Sequence, residues 1–181
     1  MTLSWNVIGV AVLAVAAIAA RSVALAGFGL DSLIEIGASV VVLWELRAIE
    51  GSRRPRALRL IGVAFLALAL YLAVQSLVVL SLGFHPLHSV AGIIWTALTA
   101  AVMLVLSRAK TRVGRTLGNE VLIMEGRVTL VDAVLAVAVL AGLTLNAGLG
   151  WWWADPSAGL VIVAYGVKEG WAALHHGHQS F

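Results

Sequence analysis

The sequence predicts an all-α integral membrane protein, a six-transmembrane-helix bundle with N and C termini in the cytoplasm. Three observations carry that prediction. Residues AVILMFWYC make up 61% of the 181 positions and Asp, Glu, Lys and Arg only 12%, against about 25% charged in a soluble globular protein. So little polar surface cannot cover a globule in water, and the mean hydropathy of +1.01 agrees. Second, the charged residues leave apolar runs of about 20 residues, the length a helix needs to cross the hydrocarbon while satisfying its own backbone. Third, alanine and leucine dominate these runs, and none alternates apolar and polar residues at period two as a barrel strand does.

The spans follow in order. Met1 to Ala20 carries no charge and ends at Arg21, giving a first span at about 3–20. The second, about 26–46, contains Asp31 and Glu35. Leu60 to Ser107 is uncharged throughout, too long for one helix, and Gly83-Phe84-His85-Pro86 divides it by turn chemistry into spans at about 60–82 and 89–107. The fifth and sixth lie at about 122–145 and 156–174. The reading is a single transmembrane domain over 1–181 with no cytoplasmic C-terminal domain. Its glycines, among them Gly27, Gly29, Gly142, Gly148 and Gly150, suit close helix contacts in lipid.

Orientation follows from the connections. Arg47, Arg53, Arg54, Arg56 and Arg59 lie between spans two and three, and Arg108, Lys110, Arg112 and Arg115 between four and five. The connections between three and four and between five and six carry no lysine or arginine. The positive-inside rule therefore places both basic connections and both termini in the cytoplasm, with Arg21 alone on the far side. Trp151, Trp152 and Trp153 then mark the outer interface, and Trp44 and Trp171 the inner one. The expected location is the cell (inner or plasma) membrane, multi-pass.

Several classes drop out. The absence of cysteine removes disulfide scaffolds, thiolate metal sites and thiol nucleophiles. The net charge of +3 is sorted by topology and reads as solvated or lipid-facing charge, so no nucleic-acid partner is expected. Ala-Ile-Ala-Ala before Arg21 has the small residues of a signal-peptidase site, but no positive stretch precedes the apolar run. There is no nucleotide-binding loop, no Ser/His/Asp set and no zincin motif, so neither an enzyme nor an ATP-driven pump is expected.

Five ionisable residues are read as lying at membrane depth: Asp31, Glu35, Glu125, Arg127 and Asp132. Each costs about 2.5–3.5 kcal/mol at the centre of a spanning helix, which makes it a candidate for function. Asp31 and Glu35 are four residues apart and share a helix face within reach of one cation. Two such carboxylates repel unless a proton or a metal sits between them. Glu125, Thr129 and Asp132 also fall on one face, which Val128 joins, whereas Arg127 points about 160–200° away from Glu125 and Thr129. Two acid-bearing faces in separate helices would make a site for a hard cation. The competing reading, that the acids pair with Arg127 or sit wet at the interface, stays open most of all for Glu125; three carboxylates exceed what one arginine neutralises.

The run Ser22-Val-Ala-Leu-Ala-Gly-Phe-Gly-Leu-Asp31-Ser-Leu-Ile-Glu35-Ile-Gly-Ala-Ser39 resembles the second-helix signature of the cation diffusion facilitator family. Met124-Glu-Gly-Arg-Val128-Thr-Leu-Val-Asp132 resembles its fifth-helix signature, an acid followed by His-x-x-x-Asp. Six spans, inward termini and Gly166-Val-Lys-Glu agree with it over the whole chain, although only these two stretches are sharp. The resemblance implies metal-ligand positions at Asp31, Glu35 and Asp132, with Val128 where the family has histidine. Glu125, where the family has an aspartate that does not touch the metal, is then expected to fill the gap as a fourth ligand. The metal-sensing cytoplasmic domain that the family usually adds is not expected here.

What the resemblance implies for function is export of divalent metal ions by proton antiport, with helices one, two, four and five rocking about the site. No cofactor is expected, because the metal is the transported substrate. Zn²⁺ comes first from the resemblance, while an oxygen-only donor set suits Mn²⁺ or Fe²⁺, with Co²⁺ also open. The implied partners are the metal ion, protons, the bilayer and a second copy, in a homodimer through the third and sixth spans. Two other classes remain: a non-transporting accessory or assembly protein whose acids grip a partner helix, and a proton-coupled exporter of small organic cations. Weaker features are His85 and His88 in the outer connection, His175, His176 and His178 near the C-terminus, and Gln75 in the third span. Solvated loop residues, an incidental tail and ordinary helix packing are their plain explanations.

Overall fold

The computed structural model describes residues 2–46, 54–118 and 120–178. Six helices follow one another: α1 (Thr2–Ala20), α2 (Val23–Leu46), α3 (Arg54–Leu82), α4 (Val90–Leu117), α5 (Glu120–Leu149) and α6 (Ala154–His178). No strand occurs among the described residues. The six-helix bundle that the composition predicts is the fold.

The helices pack in two tight pairs, α4 with α5 and α3 with α6, while α2 touches α1, α3, α5 and α6. Small residues permit the close approaches. A methyl group added at Gly142 of α5 would stand 2.8 Å from the Ala158 Cβ and 2.9 Å from the Ala154 carbonyl of α6. One added at Gly170 would lie 3.0 Å from the Gly62 carbonyl of α3. Because backbone blocks the space at position 142, Gly142→Ala should destabilise the protein by about 1–3 kcal/mol. A thermal unfolding midpoint in detergent equal to that of the wild type would refute the contact. Gly148 and Gly150, by contrast, have nothing near them; Gly150 (φ 67°) serves the turn before α6.

The surface is apolar and the interior partly polar, the reverse of a protein in water. Ile18, Val15 and Leu70 are 80%, 71% and 67% exposed, whereas Ser76, Thr96, Thr129, Asp31 and Asp155 are buried. An apolar girth of this extent has no reason to face water and every reason to face lipid. Among the described residues α3, α4 and α5 contain stretches long and apolar enough to cross a membrane, Arg59–Leu82, Val90–Leu117 and Val128–Leu149, and Ser4–Ala20 is a shorter apolar helix. The other two helices carry ionisable groups: Asp31 and Glu35 in α2, and Asp155, Lys168 and Glu169 in α6.

The helices outrun the expected spans. α4 continues from Ser107 to Leu117, so Arg108, Lys110, Arg112 and Arg115 ride on helix rather than in a connection. Lysine and arginine are good helix formers, and a helix leaving the hydrocarbon has no cause to stop. It stops at Gly118, whose left-handed φ of 61° closes the last turn. Likewise α3 begins at Arg54, which puts Arg54, Arg56 and Arg59 on its first turns. The turn at 83–86 is as expected, with Gly83 at φ 66° and the Ser89 hydroxyl capping α4. Arg47 and Arg53 lie outside the described residues, as do the side chains of Trp44, Arg54 and Arg56.

Candidate functional site

α2 is held at its first turn by neighbours and carries the two acids a few turns deeper. The Asp155 carboxylate at the start of α6 accepts hydrogen bonds from Val23 N (3.0 Å), Ala24 N (3.4 Å) and the Ser22 hydroxyl. The Ser22 hydroxyl in turn accepts from Leu25 N at 3.1 Å. This fixes the rotation of α2, and Asp31 and Glu35 then face the interior together.

Asp31, Glu35 and Asp132 line one enclosed cavity with Asn6, Trp5, Ser32 and Thr99, and its free space of about 10 Å³ admits roughly one water-sized body. The Glu35 and Asp132 carboxyls are hydrogen-bonded to each other. Asn6 Nδ2 donates to Glu35 Oε2 at 2.7 Å. One oxygen each of Asp31 and Asp132 is buried with no hydrogen-bond partner. Buried carboxylate oxygens left in that state are costly, and they stay only where something else satisfies them. Among the described residues no three His, Asp or Glu side chains stand at the spacing of a metal cage. The acids share a chamber, and two of them are in contact, an arrangement that a proton or a cation between the carboxyls relieves.

Of the expected site residues, the structure therefore brings Asp31, Glu35 and Asp132 together. The Glu125 and Arg127 side chains lie outside the described residues. Val128 does not share the inward face: it is 51% exposed, while Thr129 beside it is buried. α5 packs on α4 along the Thr129–Asp132 edge, and that contact sets the rotation: Lys110 Nζ donates to Thr129 Oγ1 at 3.1 Å, and the Ser107 hydroxyl to the Gly126 carbonyl at 2.7 Å. A side chain at 126 would meet Thr111 Oγ1 at 2.4 Å and Ser107 O at 3.2 Å.

The remaining candidates fall elsewhere. His85 packs at a tilt against Trp152, with ring centroids 5.1 Å apart, and His88 is solvent-exposed. Gln75 lines a separate cleft whose lining includes none of the three acids. His175 packs on Trp171 and bonds its carbonyl, while the side chains of His176 and His178 lie outside the described residues.

Five contributors escaped the sequence reading. Asn6 was legible as a lone amide in an apolar run, the same signal that singled out Gln75. Trp5 donates to Thr99 Oγ1 at 3.1 Å and stacks on Trp95 at 5.0 Å, closing the cavity on the α1 and α4 side. Lys110, which reads as one of a run of interfacial cations, reaches inward, and its charge acts on Asp132. Tyr165 and Glu169, one turn apart on α6, lie close enough for Glu169 to act electrostatically on Asp31.

No family model matches the chain. It is 26% identical over 185 aligned residues to Transmembrane protein 163 of Xenopus laevis, an alignment that takes in 91% of this chain. The chain spans 64% of the length of that curated relative. Helices long and apolar enough to cross a bilayer, an apolar girth around a polar interior and likeness to a protein named as transmembrane together make this chain an all-helical membrane protein.

Proposed function

We propose that the chain is a multi-pass secondary transporter of the cell membrane, of the cation diffusion facilitator kind, exporting divalent metal ions in exchange for protons. All six helices then cross the bilayer, with both termini cytoplasmic and a homodimer formed in the membrane. The observation that carries this reading is the convergence of Asp31, Glu35 and Asp132, from two helices, on one cavity in which two carboxylate oxygens lack partners. Carboxylates that share a proton in one state bind a divalent cation when ionised and release it when protons return, so one chamber couples two fluxes. The donors are carboxylate oxygens, which suits Mn²⁺ and Fe²⁺ as cargo alongside Zn²⁺ and Co²⁺. A space of one water-sized body favours a bare ion over an organic cation.

The test is uptake into proteoliposomes across an imposed pH gradient, scanning Zn²⁺, Mn²⁺, Fe²⁺, Co²⁺ and Cd²⁺. Gradient-dependent accumulation of at least one ion is expected. No flux of any of them, with the protein folded and oriented, would leave the accessory-protein reading standing.

Lys110 sharpens the proposal. An ammonium that acts on Asp132 competes with an arriving dication for the same field, and opposes its retention. Lys110→Met should therefore tighten equilibrium metal binding about tenfold. It should also slow release, lowering the maximal rate. Weaker binding, measured by calorimetry in detergent, would show instead that Lys110 holds Thr129 and the site in shape.

A further inference from the structure

At the end of the bundle opposite the arginine-bearing helix ends, α1 and α3 diverge over α2 and leave a cleft of about 400 Å³ open to the side. Ser22, Val23, Ala26, Ile18, Leu72 and the 84–86 segment line it. The 84–86 segment is held in place: Leu87 N donates to the Ala20 carbonyl at 2.8 Å, and Asn146 Nδ2 to the Pro86 carbonyl at 3.0 Å. Arg21, itself exposed, lines it too.

Arg21 is anomalous on two counts. It is the one lysine or arginine at this end of the chain's topology, and no ion pair joins it to an acid among the described residues. Its φ of 52° makes it the one described non-glycine residue in the left-handed region. It closes α1, with Ser22 N returning to the Ala17 carbonyl at 3.2 Å, a position that glycine normally fills. A long cation held there at a backbone cost points to work for its side chain.

We infer that this cleft binds one membrane phospholipid, its phosphate on Arg21 and an acyl chain along the groove. The level fits. His85 lines the cleft and packs at a tilt against Trp152, and Trp151 stacks on Trp153 at 5.3 Å, so this end carries the aromatic belt of the headgroup region. The depth fits: the α3 wall from Tyr71 to Val79 rises about 12 Å, room for the upper half of an acyl chain. The chemistry fits as well, since a guanidinium pairs with a phosphodiester through two parallel hydrogen bonds. Gln75, between those ends, offers an amide at the depth of the ester carbonyls.

Native mass spectrometry of the full chain, delipidated and titrated with phosphatidylglycerol or phosphatidylethanolamine, tests this. One lipid per chain should be retained, and Arg21→Gln should lower its occupancy about tenfold. Arg21→Gly separates binding from folding. It relieves the left-handed strain, so its unfolding midpoint without lipid should equal or exceed that of the wild type, while the rise on adding lipid disappears. Lipid retained equally by both variants overturns the proposal. So does stabilisation by inorganic phosphate equal to that by phospholipid, which marks a free-anion site, or cross-linking of cysteines placed at 18 and 75 between two copies, which marks a protein interface.

Discussion

Asp132→Asn should reduce proton-driven metal uptake to the level of protein-free vesicles, and Asp31→Asn and Glu35→Gln should do the same. Each swap keeps the size of the side chain and removes the charge that attracts a dication. The Glu35–Asp132 contact makes the loss cooperative, because a proton shared by two carboxyls cannot be exchanged for a metal once one of them is an amide. Stability should move the other way. Two of the acids carry an unpartnered buried oxygen, and replacing a buried ionisable group by a neutral one of equal volume removes a desolvation cost. Lost flux with an unchanged or raised unfolding midpoint is thus the signature of a working site. Lost flux with a fallen midpoint would make the acids structural, and normal flux in two of the three variants would place the transport path elsewhere.

Much of this site was legible because the bilayer makes charge conspicuous. Asp31, Glu35 and Asp132 stood out as carboxylates in apolar runs, and helical spacing alone put the first two on one face. The rotation of α5 was not legible. Spacing grouped Val128 with Asp132, but the two are about 40° apart on the helix, and which of them faces inward depends on what α4 presents. Ser107 and Lys110 bond Gly126 and Thr129, and that contact turns Val128 outward. The true helix ends were hidden for a related reason. Hydropathy reports where the hydrocarbon stops, and α4 runs on through Arg108 to Leu117 because nothing before Gly118 breaks it. Lys110 was unreadable from both directions, since a lysine among arginines looks like interfacial charge until the helix is extended and rotated.

Asp155→Ala should be the most damaging single substitution outside the cavity, and its logic is that of an orphaned backbone. Asp155 is fully buried, and its two oxygens take the N–H groups of Val23 and Ala24 and the hydroxyl of Ser22, which itself takes the N–H of Leu25. The opening N–H groups of α2 thus depend on a cap supplied by another helix, from a fully buried carboxylate. Removing the carboxylate strands two amides and a hydroxyl, each costing about 1–3 kcal/mol, for a total of roughly 3–9 kcal/mol. That corresponds to a fall of the order of 10 °C in the unfolding midpoint. Asp155→Asn keeps one acceptor oxygen and should lose about half as much. Ser22→Ala should cost about 1–2 kcal/mol, as for a lost cap. The double variant should fall short of the sum, because both residues serve the same helix end. Asp155 escapes a span-by-span reading because it sits just before the apolar run. Its pairing with Pro156, at the first turn of α6, is nonetheless a helix-start signature. A midpoint for Asp155→Ala within experimental error of the wild type would mean that water reaches the α2 terminus. In that case Asp31 and Glu35, about 12 and 18 Å of helix rise below Val23, owe their orientation to side-chain packing alone.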